Sequence, residues 1–248
     1  MVPRLMFIVL ISLVSVAISE QDHTHLADQS ELYIGKEYQD AFKNPADNSE
    51  LPNVLLIGDS ISIGYTVEVR KLLANKADVF RIPTNGKNSA YGLRNLDKWL
   101  QANHWDVIHF NWGLWDVCYR HPKSKTQGKR DKVNGTLTTT PDDYKENIIA
   151  IVEKLKQTKA QLIWSHTTPV PQYEEGRKVG DEIIYNNIAA AVMNEHHILV
   201  NDLHAHAALR VPEIFFKKGD VHFTKEGYAY LAKKVAQDIQ KSLNKLQQ

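Results

Sequence analysis

Five short apolar runs, separated by longer amphipathic stretches, constrain the fold more than any other feature of the sequence. The runs cover residues 54–57, 79–82, 107–110, 162–164 and 198–200. Each is too short to be a helix and is typical of a buried strand. The sequence therefore predicts five strands with a helix or a loop between successive ones.

Helical patterns fill most of the intervals between these strands. They cover residues 67–73, 91–100, a segment that starts near 141, then 181–195 and 225–246. Thr140 and Pro141 predict the start of the third helix, since threonine is a favoured N-cap and proline a favoured first helical residue. Strands that alternate with helices imply crossover connections, which place parallel strands in one sheet with helices on both faces.

The amino terminus has the pattern of an export signal. Arg4 precedes an almost wholly apolar stretch at 5–18, and Ala17 and Ser19 have the small-x-small spacing of a cleavage site. We expect a signal peptide at 1–19 and a secreted or periplasmic protein with no membrane span after cleavage; an uncleaved anchor is the alternative. Residues 20–51 are polar, so this leader either wraps the surface or stays loose, and 52–248 form the main domain.

Charge and cysteine content narrow the function classes. Lysine and arginine number 30 against 29 aspartates and glutamates, and cleavage after Ser19 would remove one base and leave a neutral chain. A neutral chain gives no electrostatic basis for nucleic-acid binding.

Cys118 is the only cysteine, so no internal disulfide forms, and we interpret it as a small buried hydrophobe. Residues 119–139 form a long basic segment that we expect near one strand end; the segment favours either a solvated loop or an anionic ligand.

Ser60 follows the first predicted strand directly, in the run Gly58-Asp59-Ser60. Ligands of parallel sheets bind at the carboxyl ends of the strands, so a hydroxyl there has access to a site. Two interpretations stay open from this stretch alone. Ser60 is either a nucleophile on a strand-to-helix turn or an ordinary helix cap.

A nucleophilic serine needs a histidine to take its proton, and eleven histidines are candidates. His222 differs from the rest because it lies in a polar loop two residues after Asp220, and a nearby carboxylate can hold an imidazole in one tautomer. His204 and His206 have a spacing that metal sites use, but no cysteine or acidic cluster nearby completes a ligand set. We therefore predict no metal.

Four segments together resemble the blocks of the SGNH, or GDSL-like, hydrolase family. They read IGDSIS from position 57, NGKNSAYGL from 85, FNWGLWD from 110 and GDVHFTKEGY from 219. The resemblance spans about residues 53–241. It implies a flavodoxin-like, three-layer αβα sandwich with a five-stranded parallel sheet, in agreement with the α/β alternation of the chain.

The resemblance also implies roles for individual residues. Ser60 is the expected nucleophile and His222 the general base, and the N–H groups of Ser60 and Gly86 are expected to bind the oxyanion. The third block normally supplies an asparagine where this chain has Trp115, and Asn111 is the expected substitute.

The last block departs from the family pattern as well. Gly219 stands where the family commonly has the acid, so Asp220 is expected to orient His222 from a shifted position, with a Ser-His dyad as the alternative.

Four residues beside the motif positions are expected to bind substrate: Asp59, Trp112, Trp115 and Asp116.

The implied activity is hydrolysis of a carboxylic ester through an acyl-enzyme, without a cofactor. Export and tryptophans near the motifs favour an acylated small molecule or polysaccharide as substrate, with acetyl as the expected acyl group. Three alternatives stay open: a lipid acyl hydrolase, a polysaccharide acyltransferase, and a carbohydrate-binding relative that has lost turnover. The sequence does not predict an oligomeric state.

Overall fold

Five parallel strands form the central sheet of the computed structural model, which describes residues 23–246. The expected signal peptide at 1–19 lies outside the described residues. The strands are β1 (Asn53–Ile57), β2 (Asp78–Arg81), β3 (Val107–Phe110), β6 (Gln161–Ser165) and β7 (Leu199–Asn201). They lie in the order β2-β1-β3-β6-β7 across the sheet. All five predicted strands are confirmed to within two residues at each end, and their order is that of flavodoxin-like folds.

Seven α-helices accompany the described strands. They are α1 (Gln39–Phe42), α2 (Ser60–Leu72), α3 (Ser89–Leu100), α4 (Pro141–Lys156), α5 (Asp181–Glu195), α6 (Leu203–Ala208) and α7 (Lys225–Leu246). The predicted start of α4 is confirmed, because the Thr140 hydroxyl accepts the Asp143 N–H and Pro141 is the first helical residue. α2 begins seven residues earlier than predicted because its first two turns carry serines and Gly64 rather than a clear apolar stripe. No described helix is both long and apolar enough to cross a bilayer.

The side chains of β1 divide the core into two layers. Val54 and Leu56 belong to the cluster that includes α2 and α7, whereas Leu55 and Ile57 belong to the cluster under α3, α4 and α5. Alternate residues of a strand point to opposite faces of the sheet, so a fully apolar strand needs other elements packed against both faces. The three-layer fold expected from the sequence is therefore confirmed. Its carboxyl edge is the place where the connecting loops meet.

The polar leader wraps the surface rather than staying loose. Three 3-10 turns, His23–Leu26, Gln29–Leu32 and Lys36–Tyr38, lead into α1. Glu31 accepts a hydrogen bond of 2.9 Å from Nη1 of Arg120, whose side chain is fully buried. Asp28 accepts the Gly128 N–H at 3.0 Å.

Both of these contacts lie in the basic segment at 119–139. This segment forms the small antiparallel pair β4 (Tyr119–Arg120) and β5 (Thr136–Leu137). It follows β3 along the chain, so it extends from the carboxyl edge of the sheet, as expected. The leader and this segment therefore hold each other at that edge.

We predict that Glu31→Ala lowers the free energy of unfolding by about 3 kcal/mol, because it leaves the buried Arg120 guanidinium without its carboxylate. Urea unfolding measures the change, and limited proteolysis would show earlier cleavage in residues 23–38. Lys43→Ala is the control, since it breaks the exposed ion pair with Asp40 in the same part of the chain. Equal stability of the two variants would contradict this anchoring of the leader.

Candidate active site

Ser60 lies at the first position of α2, and Asp59, not Ser60, caps that helix. The Asp59 carboxylate accepts the Ile61 N–H at 2.9 Å. The Ser60 hydroxyl is thus left for another partner, and its Oγ lies 2.8 Å from Nε2 of His222. Ser60 is 4% exposed. The structure therefore brings the expected nucleophile and the expected base into hydrogen-bond contact.

Asp220 holds the other side of the imidazole. Its Oδ1 lies 2.6 Å from Nδ1 of His222 and also accepts the His222 backbone N–H at 3.0 Å. Burial alone would raise the pKa of Asp220, but hydrogen bonds and charge from His222 outweigh it and lower that pKa to about 2. Gly219 turns with φ +74°, and a Cβ there would come within 2.7 Å of the Tyr173 carbonyl oxygen. A carboxylate at position 219 would be strained, whereas position 220 reaches the ring.

A buried arginine supports the turn that carries the nucleophile. Nη2 of Arg81 donates to the backbone oxygens of Gly58 at 3.0 Å and Asp59 at 3.4 Å, and to the Ser62 hydroxyl. Its Nη1 donates to the Thr84 carbonyl oxygen at 2.8 Å. Burial lowers the pKa of Arg81 to about 9. Sequence reasoning missed this residue because it lies in β2 as one polar side chain in an apolar run.

Gly86 does not supply the N–H that was expected of it. Its N–H donates to the Gly58 carbonyl oxygen at 3.0 Å, inside the fold. A Cβ at position 86 would lie 2.8 Å from that same oxygen, so the glycine permits a close backbone approach. Its expected role as an oxyanion donor is corrected to a structural one.

Asn111 is also engaged elsewhere. Its side-chain nitrogen donates to the Ser165 carbonyl oxygen at 2.7 Å and contacts the Thr167 hydroxyl at 3.3 Å. These bonds tie the end of β3 to the end of β6. The amide that was expected to replace the family asparagine is therefore not presented to Ser60. Of the expected oxyanion donors, the Ser60 N–H at the start of α2 remains.

A small cavity of about 40 Å³ opens beside Ser60. Of the four expected substrate-binding residues, Asp59 and Trp115 line it. Trp112 is fully buried and its indole N–H donates to the Gly86 carbonyl oxygen at 3.0 Å. The expectation for Trp112 is corrected, because its ring packs inside the core rather than in the cavity.

Asp116 is likewise a structural residue rather than a residue of the cavity. Its Oδ1 accepts the Ser89 N–H at 2.9 Å and the Ser89 hydroxyl at 2.6 Å, at the start of α3. Its Oδ2 is buried without a hydrogen-bond partner among the described residues. Burial raises the pKa of Asp116 to about 7, against the opposing effect of the Ser89 hydrogen bonds.

Two arginines that the sequence did not single out line the small cavity. Arg130 and Arg177 both donate to Oε1 of the fully buried Glu174, at 3.1 Å and 2.9 Å. Nε of Arg177 also donates to the Leu114 carbonyl oxygen at 2.6 Å. Both guanidiniums therefore line the cavity beside Ser60 together with the carboxylates of Glu31, Asp59 and Asp220. The basic composition of residues 119–139 was the signal for Arg130; nothing local marked Arg177.

The leader supplies a further wall of the site. The Tyr33 ring stacks on the His222 ring, with centroids 4.1 Å apart and planes at 23°. Glu31 and Tyr33 both line the small cavity. No motif marked these residues. Their position follows from contacts of the leader with the basic segment, which local sequence patterns do not report.

Within residues 23–246, no three histidine, cysteine, aspartate or glutamate side chains are grouped so as to hold a metal ion. The His206 ring instead stacks on Tyr230, with centroids 4.0 Å apart. Cys118 is fully buried, which confirms the interpretation of this residue as a small core side chain.

We predict that Asp116→Asn becomes more stable relative to the wild type as pH rises from 4 to 7.5. The unfolded Asp116 loses its proton near pH 4, whereas the folded one keeps it until about pH 7. Rising pH therefore favours the unfolded wild type over this interval, and the asparagine has no proton to lose. The difference in unfolding free energy should change by about 2–4 kcal/mol.

Urea unfolding of both proteins across this pH range measures the effect. The control is Asp142→Asn, at an exposed position in the first turn of α4. Parallel stability curves for wild type and Asp116→Asn would show that the Asp116 carboxyl titrates normally.

Comparisons with known proteins show which fold and which family this chain shares. A solved structure of a lipase/acylhydrolase from Enterococcus faecalis shares the fold, with 18% identity, a TM-score of 0.63, and 77% of this chain and 96% of that chain covered. The acetyl xylan esterase AlAXEase also shares the fold, with 18% identity, a TM-score of 0.61, and 75% of this chain and 99% of that chain covered.

An acetyl xylan esterase from Geobacillus stearothermophilus is also similar in fold, with 18% identity, 76% of this chain and 94% of that one covered, and a TM-score of 0.60. A search of curated protein sequences gives no significant match. The sequence profile of the GDSL-like lipase/acylhydrolase family matches residues 56–230, which is most of the chain and includes Ser60 and His222. The chain therefore belongs to the GDSL-like lipase/acylhydrolase family and is a carboxylic ester hydrolase.

Proposed function

We propose that this protein is an exported serine esterase that removes short acyl groups, above all acetyl, from carbohydrate. The observation that carries the proposal is the hydrogen-bonded chain from Ser60 Oγ through the His222 ring to the Asp220 carboxylate. This is the arrangement that activates a serine hydroxyl for attack on an ester. The pattern at 1–19 supports export.

The reaction follows from the positions of these groups. His222 takes the proton of Ser60 as Oγ attacks the ester carbonyl carbon. The tetrahedral intermediate collapses, the alcohol leaves with the proton that His222 returns, and an acyl-serine forms. Water then attacks the acyl-serine, with His222 again as base, and releases the acid and free Ser60. Asp220 stabilises the imidazolium in both halves of the cycle.

The oxyanion needs donors in place of the missing asparagine. The Ser60 N–H lies at the amino terminus of α2, where the helix dipole favours negative charge. Arg177 lines the same cavity. Burial alone would lower the pKa of its guanidinium, but nearby carboxylates, among them Glu174 and Glu31, raise that pKa overall, so Arg177 stays charged. We assign the stabilisation of the oxyanion to the Ser60 N–H and to the charge of Arg177, whose Nε and Nη1 already donate to Leu114 and Glu174.

The size of the small cavity supports a short acyl group. A volume of about 40 Å³ is only a few times the roughly 10–15 Å³ that a single water needs on this scale. An acetyl methyl fits beside Leu114 and Trp115, whereas a long acyl chain does not. Two acetyl xylan esterases among the proteins of similar fold favour the same choice of acyl group and of a carbohydrate alcohol.

We predict that the purified protein releases acetate from p-nitrophenyl acetate and from acetylated xylan, and that it hydrolyses p-nitrophenyl octanoate at least about tenfold more slowly because the chain does not fit the cavity. Ser60→Ala should lower kcat by about a thousandfold or more. Ser49→Ala, an exposed serine of the leader, is the matched control.

The outcomes separate the alternatives. Faster hydrolysis of octanoate than of acetate would indicate a lipid acyl hydrolase and overturn the choice of acyl group. Acetyl groups that appear on added xylo-oligosaccharides would indicate acyl transfer. No release from any ester, or equal release by Ser60→Ala, would contradict the proposed esterase.

We predict that Asp220→Asn lowers kcat by about 10²–10⁴-fold, because the asparagine leaves the imidazolium without its counter-charge. The pKa of Asp220 is about 2 in the folded protein, so the wild-type carboxylate is ionised and supplies this counter-charge across the working pH range. Initial rates on p-nitrophenyl acetate measure the loss, with Asp97→Asn, a 64% exposed carboxylate, as control. A wild-type rate would leave a Ser60-His222 dyad as the working site.

A further inference from the structure

We propose that a second, larger cavity beside His222 binds the alcohol portion of the substrate and takes a neutral sugar ring. This inference rests on the proposed esterase function and names the alcohol side of that site. The cavity has a volume of about 420 Å³, within the range of about 300–1,000 Å³ typical of small-molecule sites. It lies between the leader and the first turns of α2.

The two cavities share Tyr33 and His222, the stacked pair described above. Ser60 lines the small cavity and not the large one. In the reaction, His222 returns its proton to the departing alcohol, so the alcohol lies on the imidazole side of the nucleophile. The larger cavity lies on the imidazole side of Ser60, so it is the one that receives the alcohol. The acyl group, which is attached to Ser60, then occupies the small cavity.

Aromatic side chains give the larger cavity a chemistry suited to sugars. Its aromatic lining consists of Tyr33, Tyr38, Phe216, Phe223 and Tyr228. Flat rings pack well against the apolar face of a pyranose. Phe216 is 63% exposed, although large apolar side chains usually pack inside. Its N–H donates to the His222 carbonyl oxygen at 2.8 Å, so the backbone at Phe216 is held beside the backbone of the catalytic histidine.

The charged groups of this cavity favour a neutral ligand. Of its three carboxylates, Asp40 is paired with Lys43 and Glu68 with Lys71, each at 2.7 Å. Glu37 and Lys225 complete the charged lining with opposite signs. Carboxylate oxygens accept hydrogen bonds from sugar hydroxyls, whereas an acidic sugar would meet them as like charges.

This cavity depends on residues that precede the family segment at 56–230. Tyr33 has a left-handed backbone, with φ +53°, and its ring lies 4.7 Å from that of Tyr38. A left-handed conformation is uncommon outside glycine and persists where its surroundings hold it. Here the stack on His222 and the contact with Tyr38 hold it. The leader therefore adds a wall that the rest of the fold does not provide.

The test compares two acetyl esters that differ in the alcohol. Acetylated xylohexaose has a neutral sugar that fills the larger cavity, whereas the alcohol of ethyl acetate is too small to do so. We expect Phe216→Ala to lower the ratio of kcat/KM for acetylated xylohexaose to kcat/KM for ethyl acetate by about tenfold. Phe216→Trp, which keeps a flat ring, should retain most of the ratio. Leu209→Ala, at a 78% exposed leucine outside the cavity, should leave it unchanged.

The ratio corrects for any loss of folded protein, since both esters report the same active fraction. A wild type that hydrolyses neither ester contradicts the proposed function itself. A wild type that hydrolyses both, with an unchanged ratio in Phe216→Ala, overturns the sugar subsite alone. A wild-type kcat/KM for acetylated oligogalacturonate that equals or exceeds the kcat/KM for acetylated xylohexaose would overturn the neutral-sugar assignment.

Discussion

The hydrogen bond between Ser60 and His222 joins residues 162 positions apart, and the rest of the site depends on what holds them together. α2 and α7 pack side by side on one face of the sheet. Gly64 in α2 lies so close to the Tyr228 ring in α7 that a Cβ would come within 2.1 Å of it. This close approach fixes the start of α7 relative to the start of α2. The loop before α7 therefore places His222 over Ser60, and the catalytic distance is a consequence of helix packing.

Polar groups at the carboxyl edge of the sheet have two roles: some stabilise the backbone of that edge, and others line the small cavity. Gly86 and Asn111 were expected to stabilise the oxyanion and Trp112 to bind substrate, yet the N–H donor of each binds a backbone oxygen of a neighbouring strand end or loop. A buried donor without a partner costs free energy, so these bonds stabilise the edge on which the nucleophile stands. Arg130 and Arg177, which both donate to Glu174, line the small cavity instead. The chain departs from its family pattern in the third and the last block, and part of the cavity lining comes from loops outside the four blocks.

Local patterns predicted the sheet and most of the helices, and the resemblance of four segments to a known family assigned the residues of the hydrogen-bonded chain. Apolar runs and capping residues act over one turn or one strand, and Ser60, His222 and Asp220 lie in motifs at element ends. The orientation of Gly86 and Asn111 could not be predicted in the same way, because it depends on which oxygen lies opposite in the folded chain. Tyr33 was missed for a similar reason: its segment has no periodicity, and its position depends on contacts made only in the folded chain, among them the stack on His222.

The leader connects the stability of the fold to the shape of the site. Glu31 binds the buried Arg120, and the same residue lines the small cavity, while Tyr33, two positions later, forms a wall shared by both cavities. Contacts that hold the leader therefore also position residues that line the small cavity. In the proposed function, the leader separates the space for the acyl group from the larger cavity beside His222, because Tyr33 lines both. The selectivity that we propose for the acyl group and for the alcohol thus depends on one polar segment, and the Glu31–Arg120 ion pair ties the stability of the fold to it.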